Sequence, residues 1–221
     1  MLIIVTGIHR EAVLFPQDAG ELVVSGKDNS GLGQKVEMAI AHGGTAVISV
    51  GICGGLAPEL SIGTVVIPTE IIWKDDHWPT DPRWGDAMAM RIPNATRGTI
   101  AGTAEILISP DVKSAYQRAT GAIAVDMESY IAARVAAAHE VPFAALRVIS
   151  DGAMHSLPPV VRDAIGDDGK VRFGTVLRSL ATAPAQLPGL LRIARNSDKA
   201  LTSLLRCLDL LGGSFACPYL G

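Results

Sequence analysis

Two carboxylates stand where apolar runs break off, and both are placed for chemistry. Asp151 follows the run Phe143 to Ile149 through Ser150, and Gly152 comes next. A carboxyl group at a partly dry strand end can deliver a proton to a leaving group. The plain alternative is an Asp-Gly turn. Glu128 follows Ala122 to Val125 and Asp126-Met127, at the junction of a strand and a helix. There a carboxylate accepts hydrogen bonds from vicinal sugar hydroxyls while the Met127 thioether packs on the sugar face. The plain alternative is a partner for the helix dipole. A third feature is Gly51-Ile-Cys-Gly-Gly55, directly after Ala46 to Val50. Its spacing is neither the dinucleotide fingerprint nor a P-loop. It offers backbone N–H groups unobstructed by side chains, suited to an anion or a flat heterocycle, or else it is a tight turn.

Other residues carry weaker readings. Cys53 reads as a small buried side chain beside the glycines rather than a nucleophile, because no base stands near it in sequence. Asp75, Asp76 and His77 read as a solvated acidic loop, so no metal is expected. His155 reads as a surface residue or as a group reaching a substrate held by Asp151.

Composition narrows the classes. The chain has 221 residues, 48% hydrophobic and 19% charged, with mean hydropathy +0.32. These values exclude a disordered chain. A net charge of −3 gives no general footprint for nucleic acid. Three scattered cysteines fit a reducing, cytoplasmic compartment and no disulfide framework. The start of the chain lacks the basic leader of a signal peptide, and no apolar run reaches the roughly 20 residues of a membrane helix. The high apolar content is expected to cover a subunit interface or a surface facing an apolar partner.

Short β-branched runs end at the candidate residues. Leu2 to Thr6 ends at Gly7; Glu21 to Ser25 and Ala46 to Val50 are further strands. Gly63 to Ile67 and Glu70 to Trp73 read as two strands interrupted by Pro68, and Lys74 to Arg91 as a polar loop with the tryptophans Trp73, Trp78 and Trp84. Thr99 to Ile108 reads as a strand. Ala122 to Val125 reads as a strand feeding a helix from about Met127 to Glu140, which stops before Pro142. Asp151 to Lys170 reads as a loop or lid, and the chain from Val171 as helices broken by Pro184 and Pro188. The last helix has a stripe of Leu201, Leu204, Leu205, Leu208 and Leu211: a core or interface face, or an apolar surface for a lipid-linked ligand or a membrane. The alternation predicts a three-layer α/β/α sandwich, with 1–221 as one domain and 171–221 as its helical C-terminal extension. In such a sheet ligands gather beyond the strand C-termini, here Gly7, Gly51 to Gly55, Asp126 to Glu128, and Ser150-Asp151.

Three segments, in order, resemble one superfamily. Gly51 to Ile67 is similar to the glycine-rich segment of the nucleoside phosphorylases and nucleosidases. Ala124-Val-Asp-Met-Glu-Ser129 resembles their ribose-binding Met-Glu motif, and Val141 to Asp151 resembles their strand ending in the catalytic Ser-Asp. More narrowly, His77 to Trp84, the Asp-Met-Glu variant and Pro184 to Pro188 with the leucine-rich tail resemble the hopanoid-associated phosphorylases. The resemblance implies a central mixed sheet and cleavage of the bond between ribose C1′ and purine N9. It also implies no cofactor, a homo-oligomer, and a 5′-substituted adenine nucleoside as substrate, adenosylhopane in the narrower match. It implies that Asp151 handles N7 of the base, Ser150 orients that carboxyl, and Glu128 binds the ribose hydroxyls. Met127 then packs beside the ribose, the backbone at Cys53-Gly54 and near Ile106 lines the base pocket, and Gly7 and Asp126 are further substrate-binding candidates.

The chain departs from the superfamily where the nucleophile binds. The position four residues after Gly7, usually arginine in phosphorylases, is Glu11; the position two before Gly51, often arginine, is Ser49. A carboxylate at 11 repels phosphate and suits water activation, so Glu11 is the candidate general base. Arg10 and His9 stay as positive charge for phosphate. The other readings left open are a general methylthioadenosine or purine nucleoside cleaver, and a non-catalytic nucleoside- or lipid-binding protein.

Overall fold

The computed structural model describes residues 1–16, 18–26, 29, 31–162, 174, 178 and 182–220. Eight strands form one mixed sheet: β1 (Leu2–Thr6), β2 (Glu21–Val24), β3 (Ala46–Gly55), β4 (Val65–Trp73), β5 (Asp76–Pro79), β6 (Thr96–Gly102), β7 (Ala124–Asp126) and β8 (Phe143–Asp151). Six α-helices are described: α1 (His9–Ala12), α2 (Leu32–Ala41), α3 (Pro82–Arg91), α4 (Pro110–Thr120), α5 (Ser129–Ala138) and α6 (Leu187–Leu211).

The ten-residue β3 organises the sheet. Its first half runs parallel between β1 and β8. Its glycine end also pairs antiparallel with β7. Because β8 pairs with β4, β4 with β6, and β6 with β7, the strands β3, β8, β4, β6 and β7 close on themselves. The segment Gly51 to Gly55 is therefore the end of a strand rather than a loop after it. Glycines there let neighbouring strands bring side chains against its backbone.

Helices cover both faces, which gives the three layers. On one face Trp84 and Met88 of α3 and Leu201, Leu204, Leu208 and Leu211 of α6 pack on Ile4, Ile48, Leu146 and Val148. On the other, α2 and α5 pack Val36, Ile131 and Val135 on Ile3, Val47 and Ala145. The leucine stripe of α6 is a core face, with only Leu205 turned outward at 43% exposure. No helix among the described residues is long and apolar enough to cross a membrane.

Several local expectations change. Pro68 does not split a strand, because β4 runs through it with a register shift against β6 between Pro68 and Glu70, where the missing N–H is tolerated. The polar loop at 74–91 is instead β5 and α3. Asp81 caps α3 by accepting from the Trp84 backbone N–H at 2.9 Å, and Pro82 opens the first turn. Trp84 is fully buried, its Nε1 donating to the Phe215 carbonyl at 2.8 Å. The strand expected to reach Ile108 ends at Gly102; irregular chain and α4 follow. Pro188 lies in the first turn of α6 and begins that helix rather than breaking it. Most of the expected lid and extension between 163 and 181 lies outside the described residues.

Candidate active site

The end of β7, the residues after it and the middle of β3 meet around one buried guanidinium. Arg147 projects from the middle of β8 and is fully buried. Its Nε bonds Asp126 Oδ2 at 2.5 Å, and its Nη2 lies 3.6 Å from Glu128 Oε2. Nη2 also donates to Ser49 Oγ at 2.6 Å and to Ser129 Oγ at 3.0 Å. The Ser129 hydroxyl donates in turn to Asp126 Oδ2, and the Ser129 N–H to Asp126 Oδ1 at 3.2 Å. A charge without solvent is tolerated only when paired and hydrogen-bonded in this way. Nη1 alone has no hydrogen-bond partner among the described residues. The sequence places serine at position 49, where phosphorylases often carry arginine. The fold brings the Arg147 guanidinium from the adjacent strand to that serine.

Glu11, on the one-turn helix α1, is also buried. Its Oε2 accepts from Thr6 Oγ1 at 2.7 Å and from the backbone N–H groups of Gly7 at 2.9 Å and Ile8 at 3.0 Å. Its Oε1 accepts from the Ile52 N–H at 2.7 Å. The carboxylate thus ties the end of β1 to β3 and retains acceptor capacity mainly on Oε1. That oxygen faces the same spot as Arg147. A Cβ placed on Gly51 would lie 2.6 Å from Glu11 Oε1 and 2.5 Å from Arg147 Nη1, so position 51 admits no side chain.

Glu128 is the residue just before α5. Its carboxyl lies over Gly7, where a Cβ would come within 2.8 Å of Oε1. Burial pushes its pKa up to about 8; Arg147 opposes the rise, while the charges of Asp126 and Glu11 add to it. Met127 is half-buried, and its carbonyl accepts from Asn29 Nδ2 at 2.7 Å. The chain before α5 is thereby held from the far side.

Asp151 ends β8 on the other flank of the glycines. Gly54 pairs with Val125 on one side and Asp151 on the other. A Cβ at Gly54 would be 3.4 Å from Asp151 Oδ2 and 3.5 Å from Oδ1. The Ser150 hydroxyl donates to the Cys53 carbonyl at 3.1 Å and lies 3.4 Å from Asp151 Oδ1. Asp151 Oδ2 accepts from Lys113 Nζ, on α4, at 2.5 Å. Ile106 lies half-buried between β6 and α4, a segment bonded to the turn after β8 by Leu157 N–H to the Ile108 carbonyl at 2.8 Å. Cys53 sits among these groups. Burial raises its thiol pKa well above the ordinary value, Arg147 opposes the rise, and Asp126, Asp151 and Glu11 add to it. The thiol stays protonated and is no nucleophile.

The fold therefore gathers Gly7, Glu11, Cys53, Gly54, Asp126, Met127, Glu128, Ser150 and Asp151 at adjacent strand ends. Sequence reasoning missed Arg147 and Lys113. Arg147 had a signal, a lone charge inside an apolar strand. Lys113 had none, since it stands among polar residues, Asp111, Ser114 and Gln117. Among the described residues no group of three or more His, Cys, Asp or Glu is arranged to hold a metal.

The mixed α/β sheet covered by helices on both faces is a fold shared with solved structures. The chain has a TM-score of 0.67 and 17% identity to futalosine hydrolase of Helicobacter pylori, over 96% of this chain and 97% of that one. It has 0.64 and 19% to the 5′-methylthioadenosine/S-adenosyl homocysteine nucleosidase of the same organism, over 95% and 96%. A methylthioadenosine nucleosidase assigned in Weissella paramesenteroides gives 0.62 and 19%, over 95% and 99%. No curated protein sequence matches. The phosphorylase superfamily model matches residues 6–187, and the chain belongs to that family of enzymes.

Proposed function

We propose that the protein cleaves the N-glycosidic bond of an adenine nucleoside substituted at the 5′ carbon, with water as the nucleophile. The observation that carries this reading is the pair of carboxyl groups flanking the glycine end of β3. Glu128 is held over Gly7 on one side, and Asp151 beside Gly54 on the other. Gly54 itself lies between β7, which leads to Glu128, and β8, which ends at Asp151.

Cleavage develops positive charge on the ribose and negative charge on the base. Glu128 accepts the ribose hydroxyls, and its ionised form stabilises the cationic sugar. Asp151 passes a proton to N7 of the departing base, and Ser150 orients it. Met127 packs beside the sugar. Water is favoured over phosphate by charge: the single guanidinium of Arg147 faces three acidic side chains, Asp126, Glu128 and Glu11. Arg147 Nη1 offers the nucleophile a donor, and Glu11 Oε1 accepts its proton. The choice of hydrolysis is supported by the structural likeness to a futalosine hydrolase and a 5′-methylthioadenosine/S-adenosyl homocysteine nucleosidase.

The 5′ substituent is apolar in this reading, and the resemblance to the hopanoid-associated subfamily makes it a hopane. A groove of about 440 Å³ on the outer side of α1 supports it; Val13, Leu14, Leu201 and Leu205 line it beside the Arg10–Asp198 pair. The inner side of α1 carries Glu11.

The test is incubation with 5′-deoxyadenosine, 5′-methylthioadenosine and a lipid-linked adenosine, with and without phosphate, reading free adenine. Adenine release without phosphate is expected, fastest from the lipid-linked compound. Strict phosphate dependence overturns the choice of water. A wild-type protein that binds these nucleosides and releases no base overturns the enzymatic reading.

A further inference from the structure

Lys113 is among the largest fully buried side chains, yet it lies on an otherwise polar helix. Its ammonium is saturated. It donates to Asp151 Oδ2 at 2.5 Å, to the Gly152 carbonyl at 2.9 Å and to the His155 carbonyl at 3.3 Å. All three acceptors belong to the end of β8 and the turn that follows. A lysine placed only to stabilise the fold would gain little from such burial, since desolvating an ammonium costs several kcal/mol. Its position behind the carboxyl that faces the base pocket gives it a chemical use.

We propose that Lys113 is a positioning residue of the leaving-group site, which fixes the Asp151 carboxyl towards the base and supplies, through it, the proton that the departing purine takes. The inference rests on the nucleoside-cleaving reading above. As the C1′–N9 bond breaks, its electron pair enters the purine. A proton passes from Lys113 Nζ to Asp151 Oδ2 and from there to N7. One N–H bond on lysine is lost and one is formed on the base. Asp151 ends as the carboxylate it began as, and Lys113 ends as a neutral amine still donating to Gly152 and His155. The pair is electrically neutral before the step and carries one negative charge after it, which balances the positive charge left on the ribose.

The experiment compares 5′-methylthioadenosine with its N7-methylated cation, whose base leaves without needing a proton. Lys113→Met and Lys113→Arg are each measured on both compounds. Arginine keeps the buried charge and its donors but does not release a proton at working pH. Both variants are expected to lose kcat on the neutral nucleoside by about 10²-fold or more, the range of a positioned proton donor. KM should change little, and activity on the N7-methylated compound should stay within about tenfold of wild type, which also shows that the variants are folded. Equal losses on the two substrates, or a Lys113→Arg variant as active as wild type on the neutral one, overturn the proposal and leave the nucleoside-cleaving reading intact. A wild-type protein that releases base from neither compound overturns both.

Discussion

The charge on Glu128 gives the sharpest test of the sugar site. Burial, with Asp126 and Glu11 nearby, raises its pKa from 4.5 to about 8 against the pull of Arg147. If the ionised form stabilises the ribosyl cation, kcat/KM must rise with pH and level off only above 8. At pH 6, two units below, about one molecule in a hundred carries the charge, so the rate should be about 10²-fold below its plateau. The limb reports the coupled cluster of Glu128, Asp126, Glu11 and Arg147 rather than one isolated group. Adenine release from 5′-methylthioadenosine between pH 5.5 and 9.5 reads it directly. Glu128→Gln should lower the plateau and abolish the limb. A rate that is flat from pH 6 to 9, or the same limb in Glu128→Gln, would refute the reasoning. Stability should carry the same signature. A carboxyl whose folded pKa is raised contributes stability that is complete below 4.5 and is lost as pH rises towards about 8. The loss is up to about 1.4 kcal/mol per pH unit, and Glu128→Gln should remove it from urea unfolding curves.

Four further outcomes follow from the same geometry. Asp151→Asn should lose about 10²-fold or more in turnover and should also lower the melting temperature, because the buried Lys113 ammonium loses its carboxylate partner, read by adenine release beside thermal unfolding. Arg147→Met leaves Asp126 buried without its partner and should cost about 3–5 kcal/mol in denaturant unfolding, since an uncompensated buried charge results. Gly7→Ala places a methyl 2.8 Å from Glu128 Oε1, so turnover should fall while binding of free adenine is kept, as a calorimetric titration would show. Leu204→Ala empties a fully buried position under α6 and should destabilise by about 2–5 kcal/mol.

The candidate residues were legible in sequence where chemistry coincided with the end of an apolar run. Asp151, Glu128 and the glycines of β3 all stand at such ends, and the sheet brings those ends together. Helices α3 and α4 were missed although both announce themselves by a cap followed by proline, Asp81-Pro82 and Ser109-Pro110. The tryptophans and polar residues around the first masked that signal. The closure of β3, β8, β4, β6 and β7 into a ring was not legible, because pairing between strands far apart in sequence leaves no mark on local periodicity. Nor was the anchoring of Glu11. Its spacing from Gly7 suggested a base, whereas four donors from β1, the chain leading into α1, and β3 also make it a brace. Lys113 shows the limit most clearly, since only the docking of α4 against the end of β8 takes its ammonium out of water.

The covering of one sheet face by α6 bears on how the chain reaches its native state. Leu204, Leu208, Leu211 and Phe215 shield Ile48, Leu146 and Val148, which precede them by more than fifty residues. During synthesis the ribosome therefore releases an apolar sheet surface well before its cover exists. Until α6 emerges, the nascent polypeptide is a substrate for chaperones and prone to self-association. A stop codon ahead of residue 187 would yield aggregate rather than a trimmed enzyme.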